Sequence, residues 1–309
     1  EPLLQNLLDR SLDSAAVLEQ WLLDQSELMA SLSEERARRY IAMTCHTEDA
    51  ELEKKYLEFI EQIEPRFKPY GHRLNEKYIG CPYRGELDRQ RYQVLDRGIQ
   101  AEIDLFRDAN IPLQTESARQ SQAYQKLCGA MTVSFDGKEQ TLPQMAKYLE
   151  ETDRGRRREA WEKIALRRLQ DREAMDSIFN TLVDLRHRMA HNAESETFVD
   201  YAFRMYHRFD YTPGDCYRFH EAVEQCVMPV VHSINERRRQ TMQLEVLRPW
   251  DMAVDPLGRP PLRPFHEASE MAAKVERVLH HIDPELAEQL HAMYENGELD
   301  LESRKGKAP

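Results

Sequence analysis

Apolar residues recur at intervals of three and four along most of the chain, and only a few punctuated places interrupt that rhythm. From Leu3 to about Gln62 the pattern predicts three amphipathic stretches. Leu12, Leu18, Leu22 and Leu28 recur at helical spacing in the first of them, and Ser33 and Thr47 stand where N-caps belong. Pro65, Pro69, Gly71, Gly80, Pro82 and Gly85 predict a break between residues 64 and 86, a connection inside a domain and not a low-complexity linker. A further helix is expected from about Asp88 to Ala109.

The period changes from helical to alternating at Met131-Thr-Val-Ser-Phe135, followed by Asp136-Gly137 and Lys138 to Thr141. This predicts a β-hairpin with a primed turn, because glycine accepts the positive φ that such a turn requires. Thr141-Leu-Pro-Gln144 then reads as a capping box opening a helix to about Glu150, with Pro143 near its start where a missing N–H costs nothing.

A new start at Thr152 or Asp153 opens the longest predicted helix, about 35 residues, striped by Trp161, Ile164, Met175, Ile178, Leu182, Leu185 and Met189. Phe219, Val223, Val230 and Ile234 mark another from about Asp215 to Leu244, with Pro229 expected to kink it. Arg248 to Pro264 is proline-rich and reads as an ordered, irregular crossing before two shorter helices at about 267–281 and 284–295. The tail from Gly297 ends without a hydrophobic docking residue and reads as cut short; no repeat of constant period emerges.

Composition agrees with a charged, helical protein. Hydrophobic residues make up 41% and charged residues 32% of 309, and only 11 are glycine, so a core forms while helices carry dense charge outside. That length predicts two packed parts. Lys and Arg total 43 against 55 Asp and Glu, a formal charge of -12, which disfavours general binding to nucleic acid. Arg156, Arg157, Arg158 and Arg237, Arg238, Arg239 have acidic neighbours and read as solvated helix faces. No window approaches the roughly 18 apolar residues of a spanning helix, and Glu1 to Arg10 lacks a signal pattern. Cys45, Cys81, Cys128, Cys216 and Cys226 form no C-x-x-C and no paired framework, as expected of buried structural thiols in a reducing compartment. Together these predict a cytoplasmic protein with no membrane partner.

Candidate chemistry is sparse. H-E-x-x-H on a helix would set two imidazoles on zinc with a glutamate base, and the chain holds two near misses. His220-Glu-Ala-Val-Glu224 lacks the second histidine, and Phe219 and Val223 beside it suggest a face packed on a core. His266-Glu-Ala-Ser-Glu270 stands at a helix start, where acidic residues suit the dipole. His187 and His191, with Asp184 one turn before, would reach one metal only if their face lined a cavity; Arg186, Arg188 and Asn192 around them favour a solvent-facing pair. His280 and His281 fit a helix C-terminus. G-x-S-x-G, G-x-x-x-x-G-K and G-x-G-x-x-G are all missing, and Cys128-Gly129 has no nucleophile motif around it.

Four stretches nevertheless form a recognisable series: Met131 to Gln144 with Asp153 and the Arg-rich helix start after it; Phe198-Val-Asp-Tyr201 to Arg208-Phe-Asp-Tyr-Thr-Pro213; Arg248-Pro-Trp-Asp251 with Val254 to Phe265; and Asp300 to Pro309. Together they resemble the oligoendopeptidase F family of zinc metallopeptidases, relatives of thimet oligopeptidase, over about residues 130–309. Residues 1–129 fit its helical N-terminal region by character. The proline-rich third stretch is the most specific.

The resemblance implies a mainly α fold, the multi-helix channel-forming lobe of a thimet oligopeptidase-like protein with a small hairpin near residues 131–141. Residues 1–150 would be the helical N-terminal region and 151–309 the opening helical part of the catalytic domain. It implies a zinc-dependent metalloendopeptidase acting on short peptides, this segment forming a wall of the substrate channel, with oligopeptides as partners and Zn²⁺ as cofactor. In the family, the motif like the present tail continues into glycines and a strand, and the zinc helix comes farther on, so the resemblance assigns no catalytic, cofactor-binding or metal residue to any position here. The 309 residues alone are expected to be inactive. The alternative is a catalytically inactive peptide-binding or scaffold protein.

Overall fold

The computed structural model describes residues 1–308 and is mostly helical with one two-stranded antiparallel hairpin. The chain divides into two compact units. The first holds residues 1–128 and 173–228 with residue 308; the second holds 129–172 and 229–307.

The first unit begins with α1 (Pro2–Asp9), α2 (Ala15–Cys45) and α3 (Ala50–Glu58), which continues as a π-helical turn at Phe59–Ile63. Three helices fill this region, but their boundaries differ from expectation: the chain breaks at residues 10–14, so Leu12 lies between α1 and α2, and α2 runs unbroken past Ser33. Ser14 and Asp49 accept the first free N–H groups of α2 and α3, while Ser33 lies inside α2 and Thr47 is buried. A serine inside an amphipathic run caps nothing if the buried stripe continues past it. α4 (Glu64–Ile79) occupies most of the break predicted between residues 64 and 86, and the chain leaves the α-helix only at Gly80, before a 3-10 helix at Pro82–Glu86. Pro65 sits in its first turn, where the missing donor is tolerated, and Pro69 is carried inside. Burial of Leu74 and Tyr78 on the same helix outweighs that local cost.

α5 (Arg89–Leu105) follows, capped by Asp88, and then α6 (Asn110–Gly129), a helix outside the sequence-based expectations although Pro112 stands in its first turn. Leu4, Leu7, Leu18, Trp21, Leu22, Leu74, Tyr78, Tyr92 and Ile99 form the largest buried cluster, tying α1, α2, α4 and α5 together. Lys77 reaches from α4 to the last carbonyls of α1, donating to Leu7 and Leu8 at 3.0 and 2.7 Å and also to Arg10. It thereby satisfies acceptors that a helix end leaves open.

In the second unit β1 (Thr132–Phe135) pairs with β2 (Lys138–Thr141), Phe135 opposite Lys138. Asp136 and Gly137 have φ of 54° and 70°, the pair of positive values a two-residue primed turn needs. The capping box at Thr141 and Gln144 forms, but α7 (Leu142–Met145) lasts one turn and continues as a 3-10 helix at Ala146–Glu150. Val133, Phe135, Met145, Tyr148 and Ala160 form this unit's core.

The predicted 35-residue helix is two, α8 (Arg154–Gln170), capped by Asp153, and α9 (Arg172–Asn192). They part at Asp171, whose backbone leaves the helical region and whose carboxylate is held by Arg167. The interruption falls at the boundary between the units. After α10 (Phe198–Met205), the run expected to be one kinked helix is α11 (Pro213–Ala222), a π-helical turn at Val223–Val227 and α12 (Met228–Thr241). The wider turn immediately before Pro229 accommodates a residue without a donor. α13 (Ala268–Ile282) and α14 (Pro284–Glu295) are the two short helices expected there, and they pack on each other. The tail is held by polar contacts: the Gly306 N–H donates to the Gly129 carbonyl, and Ser303 bonds Thr141 and Gln144.

Candidate functional site

The histidine candidates are held singly or in exposed pairs. His220 and Glu224 are exposed, and Phe219 beside them is 66% exposed, so the apolar face expected to pack on a core lies open. Glu270 accepts the His266 backbone N–H at 2.8 Å and pairs with Lys274, so it closes a helix start. Lys274 and then that N–H hold its carboxyl below the usual range. His187 and His191 face solvent, and Asp184 lies 3.5 Å from Arg188. His280 and His281 are exposed at the end of α13. Among the described residues no three His, Cys, Asp or Glu side chains gather as a metal site. No disulfide joins the five cysteines; only Cys81 is buried, and Cys226 is exposed, not packed as expected.

The arginine run at the start of α8 departs from expectation. Arg158 pairs with Glu162 outside, as a solvated face would, but Arg157 is buried. Its donors reach the carbonyls of Glu151, Thr152 and Trp250 and the carboxylate of Asp251 at 2.9 to 3.1 Å. Asp251 is itself fully buried, and Arg154 adds a two-pronged contact at 2.9 and 2.8 Å while the Arg248 N–H donates at 3.0 Å. Burial pushes the Asp251 carboxyl up, but the bonds from Arg154, the Arg248 N–H and Arg157 outweigh it and hold it below the usual carboxylate value. Arg238 donates to the carbonyls of Asp251 and Val254. This node fastens the proline-rich crossing to α8. It is saturated by protein groups and has no free position for a ligand.

A cavity of about 760 Å³ lies wholly within the first unit, walled by α2, α4, α5, the start of α6 and α10. Leu22, Met29, Leu95, Ile99 and Leu105 give it apolar sides, and the His72 ring stacks on Phe106 at 4.0 Å between centroids. Glu102 accepts from Asn75 at 2.8 Å and lies 3.9 Å from His207. Lys68 donates to Gln114 at 2.7 Å. An apolar hollow with a few convergent polar groups is the usual form of a small-molecule or peptide pocket. None of these residues stands out in the sequence, because they meet only when helices far apart in the chain pack together.

A model of peptidase family M3 matches residues 147–308, and a model of the peptidase M3 N-terminal domain matches residues 2–106. Among solved structures the chain is similar to a candidate oligoendopeptidase F (TM-score 0.93, 24% identity), covering 99% of this chain and 54% of that one. PZ peptidase A with an inhibitor gives a TM-score of 0.91 at 24% identity, with 99% and 54% covered. A candidate oligoendopeptidase F from Bacillus anthracis str. Ames gives 0.92 at 22%, with 99% and 56% covered. These likenesses show the fold, and the chain spans about half the length of those proteins. A search of curated proteins finds no match. The first match takes in more than half of the chain, and it includes α8, the Asp251 node and the tail: the chain belongs to peptidase family M3.

Proposed function

We propose that this chain forms part of a zinc-dependent endopeptidase that hydrolyses short peptides, its helices contributing a wall of the substrate channel. The observation that carries the reading is the peptidase M3 match over residues 147–308, joined by the N-terminal domain match over 2–106. The similar oligoendopeptidase F structures favour peptides over folded proteins as substrates.

The residues present do not fit a zinc site. The one histidine pair at ligand spacing, His187 and His191, faces solvent, and Asp184 beside it is engaged by Arg188. No step of hydrolysis is therefore derived from these side chains. In this reading Zn²⁺, its activated water and a glutamate base belong to polypeptide outside the 309 residues. The wide apolar exposure of α11 to α14, with Phe219, Val230, Val278 and Ile282 all more than half exposed, supports the presence of such a further part. The compartment proposed is the cytoplasm, supported by five cysteines joined by no disulfide. No helix is long and apolar enough to cross a membrane.

The intact mass of the natural polypeptide tests the reading. A value near twice the 36.4 kDa of this sequence is expected. A value near 36.4 kDa would favour a peptide-binding scaffold without catalysis.

A further inference from the structure

Two helix glycines, Gly71 in the cavity lining and Gly98 against the lining residue His207, have opposite surroundings. At Gly98 in α5 an added Cβ would lie 3.1 Å from the His207 ring, so the missing side chain is where that ring packs. At Gly71 in α4 an added Cβ would meet no atom within 4 Å. Glycine inside a helix loses more backbone freedom on folding than alanine, and no group of this chain uses the space it leaves in the wall.

The charges of the lining are one-sided. Lys68, Arg91, Arg107 and Arg204 stand against Glu102, the single carboxylate, on a chain with formal charge -12. Each cation has a carboxylate outside the lining, in Glu64 at 3.3 Å, Glu19 at 2.8 Å, Glu194 at 3.8 Å and Asp104 at 2.8 Å. Pairs of this partly exposed kind hold their partners weakly, and a guanidinium has five donors, so a further anion is readily shared. Gln25 and Ser26 line the same wall from α2 and make no side-chain hydrogen bond to another described residue, leaving amide and hydroxyl groups for a ligand that carries amides of its own.

We propose that this cavity binds the carboxylate end of a short apolar peptide. Its aliphatic side chains lie along Leu22, Met29, Leu95 and Ile99 and into the space beside Gly71. Its backbone amides meet Gln25 and Ser26, and the cationic lining draws the terminal carboxylate. The inference deepens the peptidase reading by naming the peptide class held, and rests on that reading only for the choice of a peptide as ligand.

The test is calorimetric titration of the purified protein with Leu-Leu-Leu in the presence of chelator, so that hydrolysis does not intervene. The C-terminal amide of the same peptide and decanoate are titrated alongside. Saturable binding is expected, weakened about tenfold or more by the amide and by G71F, and kept within about twofold by G71A. No saturable binding, equal affinity in a folded G71F protein, or decanoate binding as well as the peptide would overturn the proposal. If G71F does not fold, hydrogen exchange on the unaltered protein decides. Peptide-induced protection in α4, α5 and α10 supports the site, and protection only elsewhere overturns it. Failure of the natural polypeptide to cleave peptides without chelator would remove the peptidase reading and leave this binding result standing.

Discussion

Asp251 shows how a short sequence motif becomes structure. The Arg248-Pro-Trp-Asp251 turn places a carboxylate where it receives Arg154, Arg157 and its own loop's N–H, and it has no contact with water. Removing one partner from a buried ion pair leaves the other charge stranded, so Asp251→Asn should destabilise the protein by about 3–5 kcal/mol, read from the urea midpoint at pH 7. The carboxyl's folded-state value lies below its unfolded one. Its contribution is therefore complete above the unfolded value near pH 4 and is lost as pH falls through the folded one. Urea midpoints should drop more steeply below about pH 4 in the natural protein than in D251N. Parallel curves would contradict the assignment. At the hairpin, Gly137→Ala forces a Cβ onto a φ of 70° and should cost about 1–2 kcal/mol; an unchanged midpoint would show that the turn can relax. Both residues were visible in the sequence, but only the turn could be explained from it. Aspartate and glycine state their own conformational needs, whereas the Arg157 partners lie as many as 94 positions away.

Among the elements, helices with local signals were legible and those set by packing were not. Asp88, Asp153 and the Thr141 capping box announced their helices, because a side-chain acceptor for free N–H groups is a nearest-neighbour property. The break expected between residues 64 and 86 is confined to its end: tertiary burial of Leu74 and Tyr78 overrides the local penalties of Pro69 and Gly71, whereas Gly80 does end α4. The long stripe from Trp161 to Met189 keeps its period while the helix parts at Asp171, so periodicity alone could not locate the end of α8. Gly71 makes the element-scale prediction. With no atom within 4 Å of an added Cβ and no positive φ, Gly71→Ala should stabilise the protein by about 0.5–1 kcal/mol. Thermal unfolding would show this as a rise of a few degrees; a fall would mean that the helix needs glycine for a reason other than space.

For the whole molecule, the mainly helical fold and the hairpin were legible, whereas the cavity was not, since its lining is gathered from five helices. The M3 family is shown over more than half of the chain, yet the chain spans about half the length of the similar solved structures. On the proposed reading these residues supply a scaffold and a peptide-binding wall, and the metal chemistry comes from elsewhere in the polypeptide. The most direct test is the zinc-dependent, chelator-sensitive cleavage rate of a quenched short peptide by purified residues 1–309, measured beside the natural polypeptide. Turnover is expected for the natural polypeptide and none for the 309 residues; chelator-sensitive turnover by the 309 residues alone, or none by either, would contradict that division of labour.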